Sequence, residues 1–74
     1  MSGAKLKNLR QQSGISGYLV SQRSGIARSR LSEIERQHVE PRASEVERIE
    51  RAIEELIKAR REVSQVAERV GWPL

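Results

Sequence analysis

Four side chains between residues 28 and 33 have the hydrogen-bonding chemistry that reads the edges of nucleic-acid bases. They are Arg28, Ser29, Ser32 and Glu33. An arginine can donate two hydrogen bonds to guanine, a serine is short and adaptable, and a glutamate can accept from cytosine N4. In a helix, these positions lie opposite Leu31 and Ile34, which are three residues apart. The pattern predicts a helix with an apolar inward stripe and a small, polar, basic outward face.

The sequence also predicts a second helix directly before this one, which would support it. The sequence predicts a preceding helix over 17–24, with Ser16 as its N-cap and Gly25 at its end. The next helix runs from about Arg28 to Gln37. Two helices joined by such a tight turn form a helix-turn-helix, whose second helix presents its N-terminal side chains to the major groove of DNA. We expect the second helix to be a recognition helix.

Two further segments complete the predicted bundle. Residues 4–13 form a short helix with both leucines on one face, and Gly14 is its C-cap because glycine adopts the left-handed conformation without a steric penalty. Pro41 predicts a loop after the recognition helix, since proline lacks a backbone donor and disfavours helix just before it.

The longest helix is predicted over 44–70. Ser44 and Glu47 form the Ser-x-x-Glu pattern of a capping box, and no glycine or proline follows until Gly71. Apolar residues recur at intervals of three, four and seven, which is a heptad pattern with Arg60 in the skipped core position. The helix is therefore amphipathic, and its second half extends beyond what a small bundle can bury.

The second half of this helix is the predicted dimer or partner interface. Its interface residues are Leu56, Ile57, Val63, Val66, Ala67, Val70 and Trp72. Arg60 argues against a long two-stranded coil, because an unpaired buried cation is costly, so its side chain either snorkels or pairs with Glu55 or Glu62. A short antiparallel helical contact is an equal alternative. We predict a helix-turn-helix domain over 1–56 and a C-terminal helical extension over 57–74.

Positive charge is concentrated in the first half of the chain. Through Arg42 there are eight basic residues against three acidic ones, a balance of +5, whereas the remainder has six basic and seven acidic residues, a balance of −1. A basic head joined to a balanced tail indicates a polyanion-binding surface and a different role for the tail.

Composition excludes several other functions. The chain has 74 residues, no cysteine and one histidine, so it cannot supply the roughly four Cys or His ligands of a structural zinc site. It has no aspartate for a Ser-His-Asp set and no glycine-rich phosphate loop. We therefore expect no enzyme activity, no metal and no cofactor. No apolar run is long enough for a signal peptide or a membrane span, so we expect a cytoplasmic protein that is nucleoid-associated when bound to DNA.

Residues 6–56 resemble the lambda-repressor-like, Cro-type (XRE) family of DNA-binding domains. The stretch Leu6-Lys-Asn-Leu-Arg-Gln-Gln-Ser-Gly-Ile-Ser is similar to the family's first helix and the start of its second. Val20-Ser-Gln-Arg-Ser-Gly-Ile-Ala-Arg-Ser-Arg-Leu-Ser-Glu-Ile-Glu-Arg is similar to its helix-turn-helix core, and Pro41 with the later Ile49-x-x-Ala-Ile to its loop and closing helix. The resemblance implies a compact all-α domain of four to five helices with an extended C-terminal helix.

The resemblance also implies roles for individual residues. It implies that Arg28, Ser29 and Glu33 lie where such domains usually read base edges. It also implies that Arg30, Arg36 and Arg42 lie where phosphate contacts are common. Because the first half of the chain is basic, we add four further residues to the expected phosphate-binding set: Lys5, Lys7, Arg10 and Arg23. Arg10 and Glu35 match a recurrent pair that ties the first helix to the end of the recognition helix, as a structural brace.

Four positions depart from the family pattern. Gly17 stands where a glutamine often opens the second helix, and Ala27 where a serine or threonine commonly caps the recognition helix. Ser24 replaces a buried leucine, and Gln37 replaces the glycine that commonly ends the recognition helix. These departures fall around the recognition helix rather than within its outward face.

The sequence as a whole predicts a regulator of transcription, a repressor, that binds a palindromic site on double-stranded DNA as a homodimer. The alternative is an antitoxin or adaptor module whose C-terminal helix binds a partner protein, and the two roles can coexist. RNA binding ranks third, because the aromatic platforms that stack single-stranded bases are missing.

Overall fold

The computed structural model describes residues 2–69 of the chain, with side chains described through residue 61. Within that range the chain forms four α-helices and no strand. The helices are α1 (Gly3–Gln12), α2 (Gly17–Ser24), α3 (Arg28–Glu35) and α4 (Ala43–Arg69). The predicted all-α class is confirmed, and the predicted bounds of α2 are those observed. No helix in this range is both long and apolar enough to cross a membrane.

Local sequence signals fix both ends of α1. The Ser2 hydroxyl accepts a hydrogen bond from the Lys5 N–H at 3.3 Å, so α1 begins one residue before the predicted start. At the other end Gly14 adopts a left-handed φ of 68°, and its N–H donates to the Gln11 carbonyl while the Ile15 N–H donates back to the Arg10 carbonyl. These two bonds form a Schellman closure, which confirms the predicted glycine stop.

Serine hydroxyls and one glycine fix both ends of α2 and the turn that leads into α3. Ser16 accepts from the Leu19 N–H at 3.2 Å, which confirms the predicted N-cap of α2. Gly25 ends the helix at φ 75°, a conformation that glycine adopts without strain. The Ser21 hydroxyl then donates to the Ile26 carbonyl at 2.6 Å, which fixes the path of the chain into α3.

An aliphatic core lies between the four helices. Its buried members are Leu6, Ile15, Val20, Ile26, Leu31, Ile34, Ile49, Ala52 and Ile53. The predicted inward stripe of α3 is confirmed, because Leu31 and Ile34 are fully buried. On α2 only Val20 of the three neighbouring apolar residues is buried, whereas Tyr18 and Leu19 face solvent. The core therefore holds α3 by one side and leaves its other side open.

The start of α4 differs from the prediction. The capping box predicted at Ser44 is wrong, because the helix begins at Ala43 and Ser44 already lies within its first turn. The capping side chain is Glu45, whose Oε1 accepts the Arg42 N–H at 2.9 Å, and the Glu45 N–H donates back to the Arg42 carbonyl at 3.0 Å. The Glu45 side chain thus makes the carboxylate half of a capping box, and the hydroxyl half is missing.

The second half of α4 stays in contact with the bundle through Arg60. Its Nη1 donates to the Ser13 carbonyl at 2.6 Å, at the negative end of α1. Neither predicted alternative includes this contact with a backbone carbonyl, and the predicted partner Glu55 pairs with Arg23 instead. The pairing offered with Glu62 falls outside the described side chains.

Only two of the predicted interface residues have side chains that the structure describes. Leu56 and Ile57 are half-buried and pack against the core. The side chains of Val63, Val66, Ala67, Val70 and Trp72 lie outside the described residues. The division of the chain at residue 56 remains a prediction, since α4 runs through it without a break.

Candidate nucleic-acid interface

The exposed surface of α3 carries the side chains with base-reading chemistry. Arg28, Ser29 and Glu33 are exposed and Ser32 is half-buried, all on the side of the helix away from the core. The helix ends at Glu35, two residues before the predicted Gln37. As predicted from Ala27, the N-terminus of α3 has no side-chain cap. The structure thus brings the four residues together on one short, accessible helical surface.

The Arg28 side chain lies against the start of α2. A Cβ added to Gly17 would be 2.7 Å from the Arg28 Cζ, so the guanidinium fills the space that a side chain would need. Sequence comparison with the family marks Gly17 only as a missing glutamine. The contact itself joins residues on two different helices, and no local signal in the sequence could have revealed it.

Arg10 and Glu35 connect α1 to the end of α3. The Arg10 Nε and Nη2 donate to the two Glu35 carboxylate oxygens at 2.8 and 2.9 Å, and Nη1 donates to the Ile15 carbonyl at 2.9 Å. The side chains are only 13 % and 6 % exposed, respectively. All of the contacts of this Arg10 guanidinium are internal, which is the geometry of a brace.

Arg30 points away from the outward face of α3 and towards α4. Its Nε and Nη2 donate to the two carboxylate oxygens of Glu45, both at 2.9 Å. The hydrogen bonds from Arg30, followed by that from the Arg42 N–H, lower the pKa of Glu45 from its usual 4.5 to about 2. The same bond to Glu45 raises the pKa of Arg30. The predicted phosphate contact of Arg30 remains a prediction, and Glu45 already offsets the positive charge that it would use.

Two other arginines hold the helix-turn-helix onto α4. Arg48 donates from Nε and Nη2 to the Ser24 carbonyl at 3.0 and 2.7 Å, which satisfies the end of α2. Arg23 pairs with Glu55 at 2.7 Å, with both side chains largely exposed. No local sequence pattern indicates this contact of Arg48, because the acceptor is a backbone carbonyl 24 residues away.

Comparison with known families agrees with this geometry. A sequence model of the helix-turn-helix family matches residues 6–59, which include all of α2 and α3. The chain belongs to the helix-turn-helix family. Within it, the chain is of the lambda-repressor-like (XRE) type, a class of DNA-binding regulatory domains. No curated protein and no solved structure matches the chain.

Four cations of the predicted phosphate-binding set remain, and they lie on or beside the helices. Arg36 directly follows α3, Arg42 directly precedes α4, and Lys5 and Lys7 lie on α1. Lys7 is half-buried and the other three are exposed. Within the part of the chain that the structure describes, none of the four forms an ion pair. Their predicted phosphate contacts therefore need no internal pair to be broken.

The described residues contain neither a cluster of metal-binding side chains nor a buried polar side-chain atom without a partner. Among the described residues, no cluster of three or more histidine, cysteine, aspartate or glutamate side chains could hold a metal ion. The same residues contain no buried side-chain nitrogen or oxygen atom without a hydrogen-bond partner. The polar side chains of α3 that have no internal partner, those of Arg28, Ser29 and Glu33, are therefore on the surface.

Proposed function

We propose that this domain is a sequence-specific regulator of transcription that reads the major groove of double-stranded DNA through α3. The observation that carries the proposal is the division of α3 into two sides. Leu31 and Ile34 are fully buried, whereas Arg28, Ser29 and Glu33 are exposed near the helix N-terminus. Exposed N-terminal side chains of the second helix are the ones that reach base edges in helix-turn-helix complexes.

Within this proposal the polar residues have different roles. Arg28, Ser29, Ser32 and Glu33 discriminate between base pairs, because base-edge contacts carry sequence information. The exposed basic residues around α3 supply attraction to phosphates, which depends on salt but not on sequence. We assign repression to the regulator, since a domain that occupies an operator excludes other proteins from it without further machinery. Its site of action is the cytoplasm, at the nucleoid.

We further propose that the regulator acts as a homodimer on a palindromic operator. One short recognition helix makes few base contacts, and a second copy doubles them across a two-fold axis. In support, α4 continues past the core with half-buried Leu56 and Ile57, and its sequence keeps an apolar heptad pattern up to Val70. Half-sites one helical turn apart, about 34–36 Å, are then expected.

Selection of bound duplexes from a random pool, at two salt concentrations, tests DNA reading. We expect an enriched palindromic motif, and a pool without any enriched motif would overturn the proposal. With the selected duplex, Arg28→Ala should relax the preference at one base pair in each half-site by roughly 1–3 kcal/mol. Arg51→Ala is the matched control, because Arg51 is an exposed arginine on α4 and should leave every preference unchanged.

Sedimentation equilibrium of the whole chain tests the dimer. A dimer without DNA, and two copies bound for each selected duplex, are the expected results. A chain that stays monomeric both free and on DNA would contradict the dimer. It would favour the second candidate function instead, an antitoxin or adaptor whose C-terminal helix binds a different protein.

A further inference from the structure

Gly17 is buried although it is the first residue of a surface helix, and the group beside it is the Arg28 guanidinium. A Cβ at Gly17 would lie 2.7 Å from Cζ, 2.9 Å from Nη2 and 3.0 Å from Nη1 of Arg28. Three nearly equal distances mean that the flat face of the guanidinium, rather than its edge, is turned towards the glycine. The arginine therefore lies across the first turn of α2.

This arrangement leaves the hydrogen-bonding edge of Arg28 free. A guanidinium carries five N–H donors in its plane, so contact through its face does not use them. Among the described residues, no carboxylate or carbonyl accepts a hydrogen bond from Arg28, in contrast to Arg10, Arg30 and Arg48. The side chain therefore meets Gly17 through its face, and its donors remain available to a ligand.

We propose that Gly17 is a specificity-determining residue, which positions the Arg28 guanidinium for its base contact by offering it a flat backbone surface. The inference rests on the proposed function, because it assumes that Arg28 reads a base. Gly17 itself is a positioning residue and touches no base. A planar guanidinium whose torsions are already restricted loses less conformational entropy when it binds both acceptors of a guanine.

The chain departs from its family at one end of this contact, at Gly17. A glutamine often opens the second helix in the family, whereas Gly17 has no side chain. The Arg28 side chain reaches from α3 into the space that a side chain at position 17 would occupy. Contacts below 3.0 Å are not tolerated by real Cβ atoms, so any other residue at position 17 would displace the guanidinium. Arg28 and Gly17 thus form one unit.

The substitution Gly17→Ala separates positioning from folding. The atoms that a Cβ would meet are the far end of a flexible side chain, so Arg28 moves and the backbone stays in place. Alanine also has a higher helix propensity than glycine, so the melting temperature should be unchanged or raised. Discrimination at the base pair read by Arg28 should fall roughly 2- to 12-fold, the cost of ordering one long side chain on binding.

A double-mutant cycle on DNA binding is the test. Gly17→Ala, Arg28→Ala and the double variant are compared with the unmodified chain on the selected duplex and on one changed at the Arg28 base pair. We expect Gly17→Ala to reduce discrimination in the unmodified chain and to have no effect in the Arg28→Ala background. Gln12→Ala, an exposed change on α1, serves as the control and should change nothing.

Two outcomes would overturn the inference while leaving the proposed function intact. One is unchanged discrimination by Gly17→Ala, and the other is a loss that is the same with and without Arg28. Failure of the proposed function is recognised separately, because the unmodified chain would then show no preferred duplex. A readout without DNA is the Arg28 Nε–Hε resonance of the free protein, which should shift in Gly17→Ala, and an unshifted resonance would also contradict the contact.

Discussion

At the scale of single residues, Gln37 closes the recognition helix in a conformation that favours glycine. Its φ is 63°, the only positive φ at a non-glycine among the described residues. The Gln37 N–H donates to the Ile34 carbonyl and the His38 N–H to the Glu33 carbonyl, both at 3.0 Å. These are the two bonds of a Schellman closure, the same arrangement that Gly14 makes after α1. The backbone bonds impose the left-handed conformation on a residue that does not prefer it.

Replacing that residue by glycine should stabilise the protein. A left-handed conformation costs an ordinary residue roughly 1–2 kcal/mol, while glycine's greater unfolded-state entropy cancels part of the gain. For Gln37→Gly we expect a net increase of about 0.5–1 kcal/mol in the free energy of unfolding, measured by urea denaturation. The matched control is Gln11→Gly, within α1, which should instead lose about 0.5–1 kcal/mol. A lower urea midpoint for Gln37→Gly would contradict the structure of this turn.

At the scale of helices, α4 is the support on which the helix-turn-helix rests. Arg48 holds the last carbonyl of α2. The Arg30–Glu45 pair holds α3 to the first turn of α4, and Glu45 also caps that helix through the Arg42 N–H. One carboxylate therefore starts α4 and fixes α3 against it. The direction of the recognition helix depends on these side chains as well as on the core.

Glu45→Gln should reveal this support through its dependence on pH. The pKa of Glu45 is about 2 in the folded protein against a usual 4.5. A lowered folded pKa stabilises the fold at pH values above 4.5, and that contribution disappears as the pH falls from 4.5 towards 2. The pair is partly exposed, so we expect Glu45→Gln to cost about 1 kcal/mol at pH 7 and much less near pH 2.

Urea denaturation of both proteins from pH 2 to pH 7 measures the difference. The control is Glu47→Gln, because Glu47 faces Arg51 at 3.8 Å with both side chains mostly exposed. It should show a small cost with little dependence on pH in the same range. Equal losses for Glu45→Gln at pH 2 and pH 7 would mean that the carboxylate charge is not what holds α3.

The sequence predicts the helices well where the signal is local. Ser16, Gly14 and Gly25 act on backbone groups within a few residues, and each ends or begins a helix as predicted. The error at Ser44 shows the limit of such signals. The observed cap is Glu45, which is also paired with an arginine 15 residues earlier, and a pattern within one helix cannot report that contact.

The candidate site shows the same limit more clearly. The inward positions of Leu31 and Ile34 follow from helical periodicity, and this was enough to predict which side of α3 is exposed. The direction of each arginine does not follow from it. Arg28 lies over Gly17 and Arg30 lies on Glu45, although both begin on the same turn of α3. Each choice depends on what the neighbouring helix presents.

At the scale of the whole molecule, the basic residues form two groups with different availability. Arg10, Arg30 and Arg48 each donate at least two hydrogen bonds to acceptors within the domain. Arg36 is exposed and makes no ion pair within the described range. The count of eight basic residues through Arg42 therefore overstates how many cations are free to meet phosphates. The salt dependence of DNA binding measures how many of these cations contact phosphates.

The salt dependence of DNA affinity should distinguish one cation of each group, Arg30 on α3 and Arg36 directly after it. Each phosphate contact on duplex DNA adds about 0.9 to the slope of log K against log salt concentration, through release of counterions. Arg36→Gln should reduce the magnitude of that slope by about 1 in each subunit. Arg30→Gln should reduce it by clearly less, because Glu45, at 2.9 Å, already offsets the charge of Arg30.

Affinity for the selected duplex, measured at four or more salt concentrations, gives both slopes. The two variants make the same change at neighbouring sites, so their difference cancels the general effect of removing one positive charge. Unfolding curves on the same samples confirm that both are folded, since Arg30→Gln also removes its ion pair. Equal slopes for the two variants would mean that the Arg30–Glu45 pair opens on DNA. The phosphate role predicted for Arg30 would then hold, and α3 would be freer to turn on α4 when bound than the free domain shows.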